Sequence, residues 1–160
     1  MEEVRADIIK KLNSEEFKTY VNNLAVRDVL LFGSTINGDF TEESDVDIAV
    51  LGTSKLSISE ILRFELFLED LLQRRIDVVD LNSETLDIFI KIDILNTGKS
   101  IYTIDSNNYL NKFMDDIDWY YRENEHYFQC RRRDLLSWMK QDFLEIGFHI
   151  GIRSHLKKNS

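Results

Sequence analysis

The sequence predicts an α/β fold followed by a helical extension. Short runs of aliphatic and β-branched residues, typical of buried strands, occur at 28–32, 45–50, 76–81 and 101–104. Longer segments with apolar residues at helical intervals lie before and between these runs, at 2–22, 57–73 and 85–95. From about residue 107 the apolar spacing is helical throughout. This change predicts two parts, a mixed core at 1–104 and a C-terminal helical extension at 105–160.

Local signals define the predicted elements further. The first helical segment breaks near Ser14, a residue that can cap a second helix. The strand at 28–32 ends at Gly33, and the small, polar or acidic residues of 34–43 predict a loop or a single helical turn. Residues 45–50 alternate between acidic or small and β-branched side chains, which predicts a strand with two different faces. Gly98 is the expected end of the helix at 85–95.

Composition restricts the classes of function. The 160-residue chain is 43% hydrophobic and can therefore bury a sizeable core. Its formal net charge of −9 disfavours free nucleic acid as the partner of the whole surface, because phosphate binding requires clustered Lys and Arg. The single cysteine excludes an internal disulfide, and no signal peptide or membrane span is evident. We expect a cytoplasmic protein without a membrane partner.

A glycine-containing turn after the first predicted strand is suited to phosphate binding. Gly33 permits a tight turn and places no side chain in the way of a ligand. The peptide N–H groups that follow it can then face an anion. Ser34 adds a hydroxyl donor, and Gly38 provides a second permissive position before the chain returns. We therefore predict that Gly33, Ser34 and Gly38 bind the nucleotide.

Acidic residues on the next two strands are suited to divalent cations. Asp45 and Asp47 alternate along one strand and so project from the same face. Two such close carboxylates repel each other unless a cation lies between them, and Mg²⁺ normally brings substrate phosphates with it. In the following strand, Asp77 is predicted to project from the same face as Asp45 and Asp47 and to be the third metal ligand. We also predict that Asp77 helps to deprotonate an incoming hydroxyl. Asp80, at the strand end, is predicted to be a capping residue instead.

These motifs together resemble the minimal nucleotidyltransferases of the DNA polymerase β-like superfamily. The resemblance covers about residues 25–104 and is closest to the MNT-type antitoxins, which pair with HEPN-type ribonuclease toxins. It is carried by Phe32-Gly33-Ser34, Gly38-Asp39, Ser44-Asp45-Val46-Asp47-Ile48 and Ile76-Asp77-Val78-Val79. A lone Asp-x-Asp would be a weak signal, and on its own would most often be a solvated strand face.

The resemblance implies a mixed β-sheet flanked by helices, with Mg²⁺ as cofactor and ATP as substrate. Gly33 and Ser34 would bind the triphosphate, Asp45 and Asp47 would hold the metals, and Asp77 would be the third carboxylate. In the antitoxin subgroup, a tyrosine hydroxyl of the toxin attacks the α-phosphate, pyrophosphate leaves, and the AMP-modified toxin is inactive. We therefore expect a protein adenylyltransferase with a cognate HEPN-type toxin as partner, in a homo- or hetero-oligomer that the sequence does not define.

One residue departs from the family's pattern, and for that reason two alternative functions are kept. Many members of the family carry Arg just before the second glycine, whereas this chain has Asn37 and so loses a fixed cation near the phosphates. Arg74, Arg75 or Lys91 could compensate. The alternative function is a weakly active or inactive relative that neutralises its partner by contact alone. Transfer to a small molecule such as an aminoglycoside is a third option, although the chain leaves little room for a substrate domain.

Overall fold

The computed structural model describes residues 2–38 and 40–145, together with the side chains of these residues up to residue 137. Asp39 and the end of the predicted extension, 146–160, lie outside the described residues. The elements, in chain order, are α1 (Glu2–Lys11), α2 (Glu15–Asn22), β1 (Asp28–Phe32), α3 (Ser34–Asn37), β2 (Val46–Leu51), α4 (Ile58–Leu72), β3 (Ile76–Asp80), α5 (Ile88–Thr97), β4 (Lys99–Thr103), α6 (Asn108–Glu123) and α7 (Glu125–Glu145).

The strands form one mixed sheet in the order β3-β2-β1-β4. β1 is antiparallel to both β2 and β4, whereas β2 and β3 are parallel and connected by α4. The predicted α/β fold with a mixed sheet is confirmed. As a result of this topology, the C-terminal end of β1 and the N-terminal ends of β2 and β3 meet at the same edge of the sheet.

Both faces of the sheet are buried. The first face packs against α1, α2 and α4 and carries the β-branched residues of β2, Val46, Ile48 and Val50. The second face packs against α5 and α6 through residues that include Ala49 and Leu51. β2 therefore has two different faces, as predicted. Every residue of β2 is nevertheless buried. The acidic side of this strand is solvent-accessible only near its N-terminal end.

Helix boundaries follow the predicted signals closely, with one shift. The Ser14 side chain caps α2 by accepting a hydrogen bond from the Phe17 N–H at 3.3 Å. The helix predicted at 85–95 instead spans Ile88–Thr97, because the Asp87 carboxylate accepts from the Phe89 N–H at 2.8 Å and sets the start of the helix three residues later. This helix ends at Gly98, as expected, where the Gly98 N–H donates to the Ile94 carbonyl at 2.7 Å.

α6 packs against the second face of the sheet, and α7 packs against α5 and α6. α6 buries Leu110 in that core, and the Phe128 ring of α7 stacks on Tyr121 with ring centroids 5.8 Å apart. Arg131 of α7 pairs with Asp87 at the start of α5. The division into a core at 1–104 and an extension at 105–160 stays a prediction. In the part of the chain that the structure describes, no helix is both long enough and apolar enough to span a membrane.

Candidate active site

The predicted site residues lie at the sheet edge where β1 ends and β2 and β3 begin. Strand register brings three residues into one row, with Phe32 of β1 opposite Asp47 of β2 and Asp47 beside Asp77 of β3. Because adjacent residues in register project to the same side of a sheet, Asp47 and Asp77 share a face. Gly33 follows Phe32 directly, so the turn and the two carboxylates are neighbours across three strands.

Gly33 is required at this position for two independent reasons. Its backbone has φ 75° and ψ −152°, a region that is essentially restricted to glycine. A Cβ atom built there would overlap Oδ2 of Asp47, so the Asp47 carboxylate would have to shift. The absence of a side chain therefore lets the backbone of the turn approach the Asp47 carboxylate.

The three predicted carboxylates differ in exposure. Asp47 is buried, with 7% of its surface accessible, whereas Asp45 and Asp77 are exposed. Asp45 lies one residue before β2, on the same side of the chain as Asp47, and its Oδ1 is 3.8 Å from Nε of Arg75. No hydrogen bond or ion pair to the Asp77 carboxylate is present within residues 2–38 and 40–145.

Arg74 fixes the loop that leads into Asp45. Its guanidinium donates to the carbonyls of Thr41, Glu42 and Ser44 at 2.8, 2.9 and 3.0 Å. The same guanidinium lies 4.5 Å from the centre of the Phe40 ring. One side chain therefore ties together three carbonyls of the 41–44 segment, which leads directly to Asp45.

Asp80 is a structural residue, which confirms the prediction. It is 7% exposed, and its carboxylate accepts hydrogen bonds from the Leu56 N–H at 2.7 Å and the Asn82 N–H at 2.9 Å. These bonds join the loop before α4 to the turn after β3. A carboxylate engaged with two backbone N–H groups at the opposite end of the strand is not placed to bind a ligand beside Gly33.

The carboxylates provide the right chemistry for a divalent cation but have not converged on one point. Their hard oxygen atoms are the ligands that Mg²⁺ prefers. In the described residues, however, no group of three or more His, Cys, Asp or Glu side chains is arranged to hold a metal ion. The positive charge beside Asp45 is that of the Arg75 guanidinium.

The remaining predicted residues belong to the turn after β1. Ser34 begins the single helical turn α3 and is half-buried, and Gly38 follows it with φ 102°, in open space. Thr35, which is not among the predicted site residues, is 3% exposed, and its hydroxyl has no hydrogen-bond partner among the described residues. Its position directly after Ser34 in the turn was the signal that could have found it.

Three cationic residues could replace the arginine that is missing at Asn37, and two of them, Arg74 and Lys91, interact with groups outside the predicted site. Arg74 holds the 41–44 segment. Burial lowers the pKa of Lys91, and the charges that oppose this effect are those of Asp80 and Glu84, not those of the predicted site. Arg75 lies beside Asp45, one of the predicted metal-binding carboxylates.

Comparison with known proteins now identifies the family. Residues 15–107, more than half of the chain, match the family described as Polymerase beta, Nucleotidyltransferase. The chain belongs to this family. It is accordingly an enzyme of the nucleotidyltransferase type, and the matched segment contains every residue predicted for the site.

A curated relative agrees with this family. The chain is 29% identical over 75 residues to the Methanocaldococcus jannaschii protein named "Putative protein adenylyltransferase MJ0126". That alignment covers 47% of this chain and 76% of the relative.

Solved structures with the same fold come from toxin–antitoxin systems. One chain of a crystal structure of a toxin–antitoxin with AMP-PNP superimposes with a TM-score of 0.62 at 23% identity, covering 82% of this chain and 98% of the other. A chain from a structure of a tri-AMPylated HEPN toxin of Shewanella oneidensis in complex with its MNT antitoxin gives a TM-score of 0.58 at 21% identity, covering 79% and 98%. At these identities, the likeness establishes the nucleotidyltransferase fold.

Proposed function

We propose that this chain is a Mg²⁺-dependent adenylyltransferase that transfers AMP from ATP to a hydroxyl of a cognate HEPN-type toxin, and thereby acts as its antitoxin. The acceptor that we propose is a tyrosine. The observation that carries this proposal is the row formed by Phe32, Asp47 and Asp77 across three strands, with Gly33 directly after Phe32 and against the Asp47 carboxylate. Two of the similar structures support the choice of substrate and partner, since one contains AMP-PNP and another an AMPylated HEPN toxin with its MNT antitoxin.

Each residue has a role that follows from its position. The turn at Gly33, with Ser34 and Gly38, binds the triphosphate, because the missing side chain leaves the backbone accessible next to Asp47. Asp45, Asp47 and Asp77 hold the magnesium ions, which when bound would neutralise the phosphate charges and stabilise the leaving pyrophosphate. Asp77, exposed and without an ion-pair partner among the described residues, accepts the proton of the attacking hydroxyl.

The reaction balances without a further reactant. The oxygen of the acceptor hydroxyl forms a bond to the α-phosphorus of ATP, and the bond from that phosphorus to the bridging oxygen of the β-phosphate breaks. The products are the AMP-modified protein, pyrophosphate and the proton taken up by Asp77. Since ATP is the donor, we place the reaction in the cytoplasm.

A label-transfer experiment tests this function. The chain is incubated with ATP labelled at the α-phosphate, Mg²⁺ and the toxin encoded by the neighbouring gene, and label on the toxin is measured. We expect transfer by the wild type, and loss of transfer with retained binding of the toxin for the double variant Asp45→Ala, Asp47→Ala. ATP labelled at the γ-phosphate is the matched control and should leave the toxin unlabelled.

Neutralisation by contact alone is the second candidate, and the surface of the C-terminal helices favours it. Trp119 and Tyr127 are 65% and 61% exposed, although large aromatic side chains are usually buried or in contact with a partner. A wild-type chain that silences its toxin without transferring label would establish this candidate and refute the first. The variants Trp119→Ala and Tyr127→Ala would then weaken binding of the toxin, whereas the double aspartate variant would not.

A further inference from the structure

Arg75 belongs to the same surface as the three predicted carboxylates. The Val46 N–H donates to the Arg75 carbonyl at 2.9 Å, which extends the register of β2 and β3 by one residue and sets Arg75 beside Asp45. Arg75 and Asp77 are two residues apart on one strand, and Asp45 and Asp47 are two residues apart on the other, so the members of each pair project to the same face. One cation and three carboxylates therefore form a block of four side chains on one face.

The contact between Arg75 and Asp45 is weak. Its atoms are 3.8 Å apart, and the two side chains are 89% and 47% exposed. Ion pairs of this kind contribute little to stability, because solvent screens them and two long side chains lose freedom to form them. Arg75 can therefore leave Asp45 at little cost when a stronger acceptor arrives.

A bound nucleoside triphosphate would provide that acceptor within reach. Neighbouring strands lie about 4.8 Å apart, so Gly33 at the end of β1 and Arg75 at the start of β3 are separated by roughly 10 Å across β2. A phosphate tail bound at Gly33 would lie at one side of this interval, and the extended side chain of an arginine can span much of it. Guanidinium groups bind phosphates through paired, charge-assisted hydrogen bonds, which are stronger than an exposed contact with a carboxylate.

We propose that Arg75 exchanges Asp45 for the β- and γ-phosphates of the bound nucleotide, and so supplies the cation that Asn37 does not. In the nucleotide-free chain, Arg75 neutralises Asp45. In the complex, it binds the phosphate tail and leaves Asp45 to the metal ion. This inference rests on the proposed function, because it assumes that ATP binds beside Gly33.

Nucleotide affinity is the measurement that tests the exchange. Dissociation constants for ATP and AMP are measured in Mg²⁺ by calorimetry or by displacement of a fluorescent ATP analogue. For Arg75→Ala we expect ATP binding to weaken about tenfold or more, as for the loss of a charge-assisted hydrogen bond, with AMP binding changed less than about twofold. Arg75→Lys should recover part of the loss, since it keeps the charge but not the paired geometry. The matched control is Arg63→Ala, an exposed arginine on α4.

A second readout uses the metal alone. Without nucleotide, Arg75→Ala should bind Mn²⁺ at least as tightly as the wild type, because a competing cation has been removed from Asp45. Unchanged ATP affinity in Arg75→Ala, equal weakening of ATP and AMP, or weaker binding of Mn²⁺ would each overturn the inference. A wild-type chain that binds no ATP in Mg²⁺ would refute the proposed function itself, and the inference with it.

Discussion

Asp77 and Asp80 lie three residues apart on β3 and have opposite surroundings. Asp80, at the end that contacts the loop before α4, is 7% exposed and accepts two backbone hydrogen bonds. Asp77, at the end beside Gly33, is exposed and accepts no hydrogen bond within the described residues. The charge of Asp80 is satisfied by the fold, whereas that of Asp77 is available to a ligand.

The comparison shows how one strand can combine a rigid end with a reactive end. Buried polar groups contribute to stability only when they are hydrogen-bonded, and Asp80 meets that condition. At the other end, Asp47 and Asp77 lie in register on neighbouring strands, and like charges in such positions repel each other. Residues that serve function are expected to break the local rules of stability in this way.

Asp77→Asn should have the largest effect and should affect activity without affecting stability. We expect transfer of AMP to fall at least about a thousandfold, equivalent to ~4 kcal/mol, because the variant lacks the proposed metal ligand and proton acceptor. The free energy of unfolding should change by less than ~0.5 kcal/mol, or rise slightly, since an exposed charge beside Asp47 is removed. Denaturant unfolding and label transfer on the same preparation check both numbers. A clear loss of stability would show that Asp77 is structural after all.

Asp80→Ala should give the reverse pattern. Removal of the carboxylate leaves the N–H groups of Leu56 and Asn82 without their acceptor, and we expect the free energy of unfolding to fall by about 3 kcal/mol. Transfer of AMP at a temperature where the variant is folded should stay within severalfold of the wild type. If transfer were abolished in a folded variant, Asp80 and not only Asp77 would belong to the site.

Gly33→Ala tests the turn beside Asp77, which we propose binds the nucleotide. We expect a loss of stability of about 2 kcal/mol, because alanine is strained at φ 75°, ψ −152° and its Cβ collides with the Asp47 carboxylate. Affinity for ATP should fall as well. Gly52→Ala is the matched control, because an added Cβ there also collides with a neighbour, the carbonyl oxygen of Ala25, but at the opposite end of β2. Equal ATP affinities for the two variants would argue against a special role for Gly33.

The smallest effect is expected at a third acid, Asp28, which is fully buried at the start of β1. Burial raises the pKa of Asp28 above its ordinary value of 3.8. Because the folded state then holds a proton that the unfolded state has released, this group lowers stability as pH rises from about 3.8 through the raised pKa. Asp28→Asn should remove that contribution. Unfolding curves from pH 3 to pH 8 should therefore show the variant gaining stability over the wild type as pH rises, and a constant difference would contradict this.

Much of the fold could be predicted because its signals are local. The apolar run at Asp28–Phe32, the Ser14 cap and the alternation along β2 each lie within a few residues of the elements that they define. The matching parity of Asp47 and Asp77 could also be predicted, since both β-branched patterns point to the same core. The roles assigned to these residues stay predictions.

The rest depends on contacts between distant parts of the chain. Arg74 and Arg75 are adjacent and chemically alike, yet the first holds three carbonyls of the 41–44 segment and the second faces Asp45. Only the parallel register of β2 and β3 decides which arginine faces the site. The burial of the second sheet face by α5 and α6 was likewise not evident from the alternation along β2 alone.

A crystal structure of the chain with Mn²⁺ and a nonhydrolysable ATP analogue tests the central claim most directly. Anomalous scattering locates the manganese without reference to the surrounding protein. We predict metal peaks coordinated by Asp45, Asp47 and Asp77, the phosphate tail against the turn at Gly33, and Arg75 turned from Asp45 to the phosphates. Nucleotide bound elsewhere, or carboxylates without metal at saturating Mn²⁺, would contradict the account.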